Sequence, residues 1–218
     1  MTTLAKQVRQ APNTAGVYLM KDIHNTIIYV GKANNNHPIP QDEINEILYE
    51  SALKYENVVR LKGGDNFVFG RGGEEGIYLF SKGIQFEIIP GISSAIAVPA
   101  YAGIPVTHRG ISTSFRVVTG HEAVNKNISQ INWNSFKEDE TIVFLMGLNN
   151  LSKITTNLIR IGKSKDYPCA VISKGTTKDQ KVVVGTLENI TQKSRGVATP
   201  ALIVVGEVVN LRKKLQWT

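Results

Sequence analysis

The sequence predicts an α/β chain built as two small domains. Three observations carry that prediction. Strand-patterned and helix-patterned segments alternate along the chain, a glycine-dense passage follows a strand-like segment in the first half, and further strand-patterned runs recur after a turn-rich interval. The 218 residues are 42% apolar, enough to bury a substantial core. Lys+Arg 25 against Asp+Glu 18 leaves a formal charge of +7, which favours anionic partners such as nucleic acid, an acidic membrane surface or a polycarboxylate small molecule. Cys169 is the only cysteine, so an intrachain disulfide and a multi-cysteine metal site are excluded. No apolar run reaches the roughly 18 to 20 residues that cross a bilayer, and the chain reads as soluble and cytoplasmic.

Met1 to Gln10 carries Leu4 and Val8 at helical spacing, compatible with a short helix or a frayed terminus. Val17 to Met20 and Thr26 to Val30 read as strands separated by the polar Lys21 to Asn25. Asn34 to Gln41 holds Pro38 and Pro40 and is a loop. The helix after it places Ile44, Ile47, Leu48, Ala52 and Tyr55 on one stripe, with Asp42 and Glu43 in its first turn. Val58 to Leu61 is a short strand, Glu74 to Lys82 a helix closed by Gly83, and Phe86 to Ile89 the next strand. Ser93 or Ser94 caps a small-residue helix running towards Tyr101. The strand and helix alternation indicates parallel sheet.

Gly103 to Thr113 is turn-rich and marks the link between domains. Beyond it, strands are expected at Phe115 to Thr119, Thr141 to Leu145, Cys169 to Ser173, Lys181 to Val184 and Leu202 to Val205. A helix is expected near Leu151 to Ile161, and Val208 to Leu215 closes the chain as a helix or an extended tail. Two such domains sharing a cleft would place a ligand there.

Gly63 and Gly64 can adopt backbone conformations closed to other residues and bring amide N–H groups against a carboxylate, ribose or phosphate, with Asp65 accepting hydrogen bonds in the same loop. An ordinary strand-to-helix turn uses the same residues. Neither Gly70-Arg71-Gly72-Gly73 nor Gly162-Lys163-Ser164 completes a phosphate motif. Arg71 suits a carboxylate, or is a solvated surface arginine. His108 and His121 lie in turns able to line a cleft mouth, and none of the four histidines has metal-ligand spacing. Cys169 sits in an apolar run that favours a buried, inert thiol. Met146 ends a strand beside Gly147, where it either packs in the core or faces a ligand. Trp133 and Phe136 are expected to cover the second domain's core.

Asn57 to Asp65 and Phe67 to Glu75 together resemble the signature of the uroporphyrinogen-III C-methyltransferases. Further agreement comes from Pro90 to Ala95, Ala100 to Pro105, Thr107-His108-Arg109, Val118 to His121, Met146-Gly147, Gly175-Thr176-Thr177 with Gln180, Gly185-Thr186-Leu187 and Pro200 to Val209. The resemblance runs from about Ile27 to the end. It implies a two-domain tetrapyrrole methylase fold, usually homodimeric, that uses S-adenosylmethionine to methylate uroporphyrinogen III at C2 and C7, giving precorrin-2 for sirohaem and cobalamin synthesis. By similarity, Gly63, Gly64 and Asp65, Ser93, Ser94 and Ala95, Met146, and Pro200, Ala201 and Leu202 surround the cofactor. Arg71, His108, Arg109 and Met146 are placed against the substrate, and Asp65 with Arg71 in the catalytic part. No metal is implied.

Asn66 stands where the family pattern usually has proline, and the family's opening strand with its Gly-x-Gly-Pro-Gly-Asp turn is not found. In its place, Leu4 to Ala33 is similar to the opening of the GIY-YIG domain of the excision-repair nuclease C subunit. Pro12, Gly16 to Asp22 and Ile28 to Ala33 carry that similarity. It stops short of that domain's catalytic arginine and metal-binding glutamate, so nuclease chemistry is not expected. The expected organisation is a head over residues 1–33, an incomplete methylase domain over 27–110 and a second methylase domain over 114–218, with the N-terminal part truncated or rearranged. Gly16 to Met20 would fill the vacated sheet position. An active methyltransferase ranks first, a catalytically impaired tetrapyrrole- or S-adenosylmethionine-binding remnant second, and a DNA-binding protein acting through the head third.

Overall fold

A computed structural model describes residues 17–21, 27–32, 39–121, 131–137 and 139–217. The expected helical opening Met1 to Gln10 lies outside the described residues. The chain divides into two compact units, Met1–Gly91 and Ile92–Thr218.

In the first unit, β1 (Val17–Lys21) and β2 (Ile27–Lys32) form an antiparallel hairpin running from Val17↔Lys32 to Lys21↔Ile27. Helix α1 (Gln41–Lys54) starts after Pro40, whose carbonyl accepts the Ile44 N–H at 3.2 Å. Its acidic first turn and Lys54 in the last turn complement the helix dipole. Ile44 and Leu48 are buried in a small core with Ile39, Tyr55, Val58 and Leu79.

Helix α2 (Gly72–Ser81) begins two residues ahead of the expected Glu74, because the Arg71 carbonyl already accepts the N–H groups of Glu74 and Glu75. It ends as the sequence indicates. Gly83 takes φ 74°, its N–H reaches the Phe80 carbonyl, and the Ile84 N–H reaches the Leu79 carbonyl.

Val58 to Leu61 and Phe86 to Ile89 are not strands: among the described residues neither joins a ladder. Of the Gly16 to Met20 segment expected to fill a sheet position there, the described Val17 to Met20 pairs with β2 in a two-stranded sheet instead. A strand is stable only against a partner. Without one, Val59, Leu61, Phe86 and Ile89 stay exposed.

The second unit opens with α3 (Ser94–Tyr101). Strands β3 (Phe115–Thr119), β4 (Thr141–Leu145), β5 (Pro168–Ser173), β6 (Lys181–Thr186) and β7 (Ala201–Val205) form one sheet in the order β3-β4-β7-β5-β6. All five lie where the sequence puts them, but the sheet is not parallel. Only β3 and β4 run parallel, and the other neighbouring pairs are antiparallel. The 174–180 connection is too short for a parallel crossover, so β5 and β6 fold back as a hairpin, and β7 enters between β4 and β5 in the opposite sense.

Side chains alternate across the sheet with the period of two that a strand imposes. Val143, Leu145, Ala170, Ile172, Leu202 and Val204 face α3, where Ala95, Val98 and Ala102 complete the layer. Ile142, Phe144, Cys169, Val171, Ile203 and Val205 face Leu151, Ile154 and Leu158 of α4 (Leu151–Arg160). Trp133 is buried there and stacks on Phe144, with Phe136 against both rings, as the sequence indicates. Burial also raises the Cys169 thiol pKa, in keeping with an inert role.

The tail after β7 is a 3-10 segment, Glu207–Leu211, followed by one helical turn, Arg212–Leu215. The division between units falls at Gly91, ahead of the Gly103 to Thr113 segment expected to link them. The cause is packing: Ala95, Val98, Ala102 and Ile104 are all buried in the second unit's core.

Candidate functional site

In the first unit, the glycine-dense loop is folded back on itself by polar contacts. The Asp65 carboxylate accepts the Gly91 N–H at 3.0 Å and the Phe67 N–H at 2.8 Å, and these backbone donors hold it below the usual carboxylate range. Asn66 donates from Nδ2 to the Ile89 carbonyl at 2.7 Å and accepts the Gly72 N–H at 3.0 Å. Glycine is required at two points by close approach. A Cβ on Gly70 would lie 2.5 Å from the Asn66 carbonyl oxygen, and one on Gly91 would overlap the Gly64 carbonyl. Gly63 is different, with open space where a Cβ would stand. The loop therefore presents Gly63 outward and uses Asp65 internally.

Arg71 sits at the N-cap of α2 with φ 62° and pairs side-on with Glu74, Nε to Oε1 at 2.9 Å and a terminal nitrogen to Oε2 at 2.6 Å. Both side chains are about half exposed, at 53% and 54%. The pair remains accessible to an incoming carboxylate, for which the guanidinium fork is suited.

Sequence reasoning missed Glu75. Its carboxylate is buried and gathers Arg60 (3.1 and 3.2 Å), Lys62 (2.8 Å) and the Gln41 amide (3.2 Å). A readable signal exists: Arg60 and Lys62 are two apart, so both point to one side of an extended segment. Their convergence on α2 holds the stretch leading into Gly63.

In the second unit, four of the expected cofactor residues meet at one edge of the sheet. The register sets Thr119 beside Leu145, Leu145 beside Leu202, Leu202 beside Ile172, and Ala201 beside Ser173. Gly120, Met146, Pro200, Ala201 and Leu202 thus share an edge with the ends of β3, β4 and β5. Met146 takes φ 56° and is 54% exposed, directly after a fully buried strand. It is an exposed position rather than a core one. Gly175, just past β5, abuts Val98, so that α3 covers this edge. Ser93 caps α3 by accepting the Ala95 N–H at 3.2 Å, and Ala95 is buried in the core while Ser94 is exposed.

His108 and Arg109 lie elsewhere. Their turn is closed by Ser112, whose hydroxyl receives the Thr141 N–H at 3.1 Å at the start of β4, the opposite end of that strand from Met146. His108 Nδ1 is 2.8 Å from the Arg109 carbonyl. The structure does not bring these two residues together with Met146. Among the described residues no group of His, Cys, Asp or Glu is arranged to hold a metal ion, and no helix is long and apolar enough to cross a membrane.

Residues 4–191 match the family model of tetrapyrrole (corrin/porphyrin) methylases. The match begins inside the head segment. The chain is 52% identical over 197 residues to a uroporphyrinogen-III C-methyltransferase of Methanocaldococcus jannaschii, covering 89% of this chain and 80% of that protein. It is 48% identical to a siroheme synthase of Acinetobacter baylyi over 87% of its own length, and spans only 42% of that longer protein. In structure it is similar to the uroporphyrin-III C-methyl transferase of Thermus thermophilus complexed with S-adenyl homocysteine. That likeness has a TM-score of 0.68 and 36% identity, covering 78% of this chain and 75% of the other.

Proposed function

The chain belongs to the tetrapyrrole methylase family, and from that premise we propose that it methylates uroporphyrinogen III at C2 and C7 with S-adenosylmethionine, giving precorrin-2. The observation that carries this reading is 52% identity to a uroporphyrinogen-III C-methyltransferase over 89% of the chain. Sirohaem or cobalamin synthesis is the pathway it would serve, and the siroheme synthase relative supports the former.

The residues fit such a cofactor. An exposed thioether at Met146, the adjoining main chain of Gly147 and the start of β7 offer the soft, partly apolar surface an adenosyl group needs. When bound, S-adenosylmethionine supplies a methyl group on a sulfonium centre, and transfer to a pyrrole carbon asks mainly for alignment. Met146 with Pro200, Ala201 and Leu202 would hold the cofactor at the sheet edge, and Ser93, Ser94 and Ala95 would set the helix that covers it. Within the first unit, Gly63 and Gly64 would offer main-chain groups to a carboxylate, ribose or phosphate. Asp65 serves by tying that loop together, since its oxygens already receive backbone donors and its lowered pKa makes it a poor base. Arg71 would bind an acetate or propionate carboxylate, the use the positive balance of the chain suits best, whereas the far-end position of His108 and Arg109 does not support the same role for them. A homodimer in the cytoplasm is the expected working form.

The test is incubation of the purified chain with S-adenosylmethionine and enzymatically generated uroporphyrinogen III. Precorrin-2 or its oxidised product is the expected outcome. Cofactor binding without product would instead identify a binding remnant, and DNA affinity falling steeply with salt would point to the head segment.

A further inference from the structure

Strands β3 and β4 are the parallel pair of the second unit's sheet, and ligands of such sheets bind beyond the carboxyl ends of the strands. At those ends the chain passes through Gly120 and Gly147. Their backbones approach so closely that a Cβ on Gly120 would overlap the Gly147 Cα. Asn150 joins the two: its N–H donates to the Gly147 carbonyl at 3.0 Å, and its Nδ2 donates to the Gly120 carbonyl at 2.6 Å.

Asn150 also occupies the N-cap position of α4, where an asparagine ordinarily spends its side-chain oxygen on an orphan N–H of the first turn. Here the side chain makes no cap hydrogen bond. It reaches across to the end of a different strand instead. Directly before Gly147 stands Met146, held at φ 56° with its side chain exposed.

We infer that Asn150 is a positioning residue, clasping the ends of β3 and β4 so that Met146 and the main chain beside it present a preformed surface to the adenosyl–sulfur ligand. The inference rests on the methyltransferase reading and adds to it a residue that touches no ligand. Gly120 and Gly147 permit the close approach, and Asn150 holds it. Pre-organisation of this kind lowers the ordering cost of binding.

The test compares the full-length wild type with Asn150→Asp and Asn150→Ser. Both replacements are good N-cap residues, so α4 keeps its start, while neither can donate from the amide position. Calorimetric affinity for S-adenosylhomocysteine is expected to fall about tenfold in each, the worth of one well-made hydrogen bond. KM for S-adenosylmethionine should rise in step while KM for the tetrapyrrole stays unchanged, and the melting midpoint should move by less than about 4 °C. Wild-type affinity in both variants overturns the inference alone. Weakening of both substrates in parallel with a large loss of melting temperature also overturns it, since that is a general structural role. A wild-type chain that binds no S-adenosylhomocysteine overturns the methyltransferase reading and takes this inference with it.

Discussion

The two units are stabilised by different means although their sequences carry similar strand patterns. In the second unit, Thr141–Leu145 and Pro168–Ser173 are buried throughout, and the sheet they form is packed on both faces. In the first unit, Val58 to Leu61 and Phe86 to Ile89 have comparable apolar runs but no ladder, and the order there comes from a small helical core, the Glu75 ion cluster and a loop tied by Asp65 and Asn66. The lesson is that apolar pattern makes a strand only where a neighbouring strand can satisfy the backbone. Where it cannot, polar side chains take over the ordering of the chain.

That contrast can be broken most severely in the second unit. Phe144 is fully buried and touches both Trp133 and Phe136, so Phe144→Ala is expected to destabilise that unit by about 3–5 kcal/mol in denaturant unfolding. A loss below about 1 kcal/mol would show that the ring cluster does not anchor the sheet.

The next effect is in the first unit. Glu75→Gln leaves Arg60 and Lys62, with side chains only 19% and 10% exposed, facing a neutral amide, at an expected cost of about 2 kcal/mol. Glu75→Asp should recover little, because the shorter arm cannot span all three partners. If Glu75→Gln unfolds at the wild-type denaturant midpoint, the first unit is held by its apolar contacts after all.

The smallest effect concerns pH. The Asp65 pKa is depressed in the folded chain, so its contribution is present above the ordinary carboxylate range and is lost as pH falls through the lowered folded value. The amide resonances of Gly91 and Phe67 should therefore shift together in an acid titration, with a midpoint below that of an ordinary aspartate. In Asp65→Asn the step should vanish. A midpoint in the ordinary range would mean that the two N–H bonds do not hold the loop.

Much of the second unit was legible because local pattern and tertiary demand agree there. The apolar run of Thr141 to Leu145 marks a strand buried on both faces, and the Ser93 cap and the Gly83 stop are local events that need no distant partner. The direction of the strands was not legible. Nothing within Ala201–Val205 says that it enters between β4 and β5 and runs against both. The site was read unevenly for the same reason. The sequence leaves Met146 open between core and surface and its exposure settles only that, whereas Glu75 looks like a helix-start charge and Asn150 like a cap until their partners are known.

The sequence by itself determined the family, the glycine turns, the apolar faces and the chemistry of each side chain, because these depend on residue type and short spacing. Tertiary structure alone decided which segments became strands in the first unit, that α3 belongs with the second, and that His108 lies at the far end of β4 from Met146. Each of these depends on contacts between residues distant in sequence, where pairing and burial outweigh local preference.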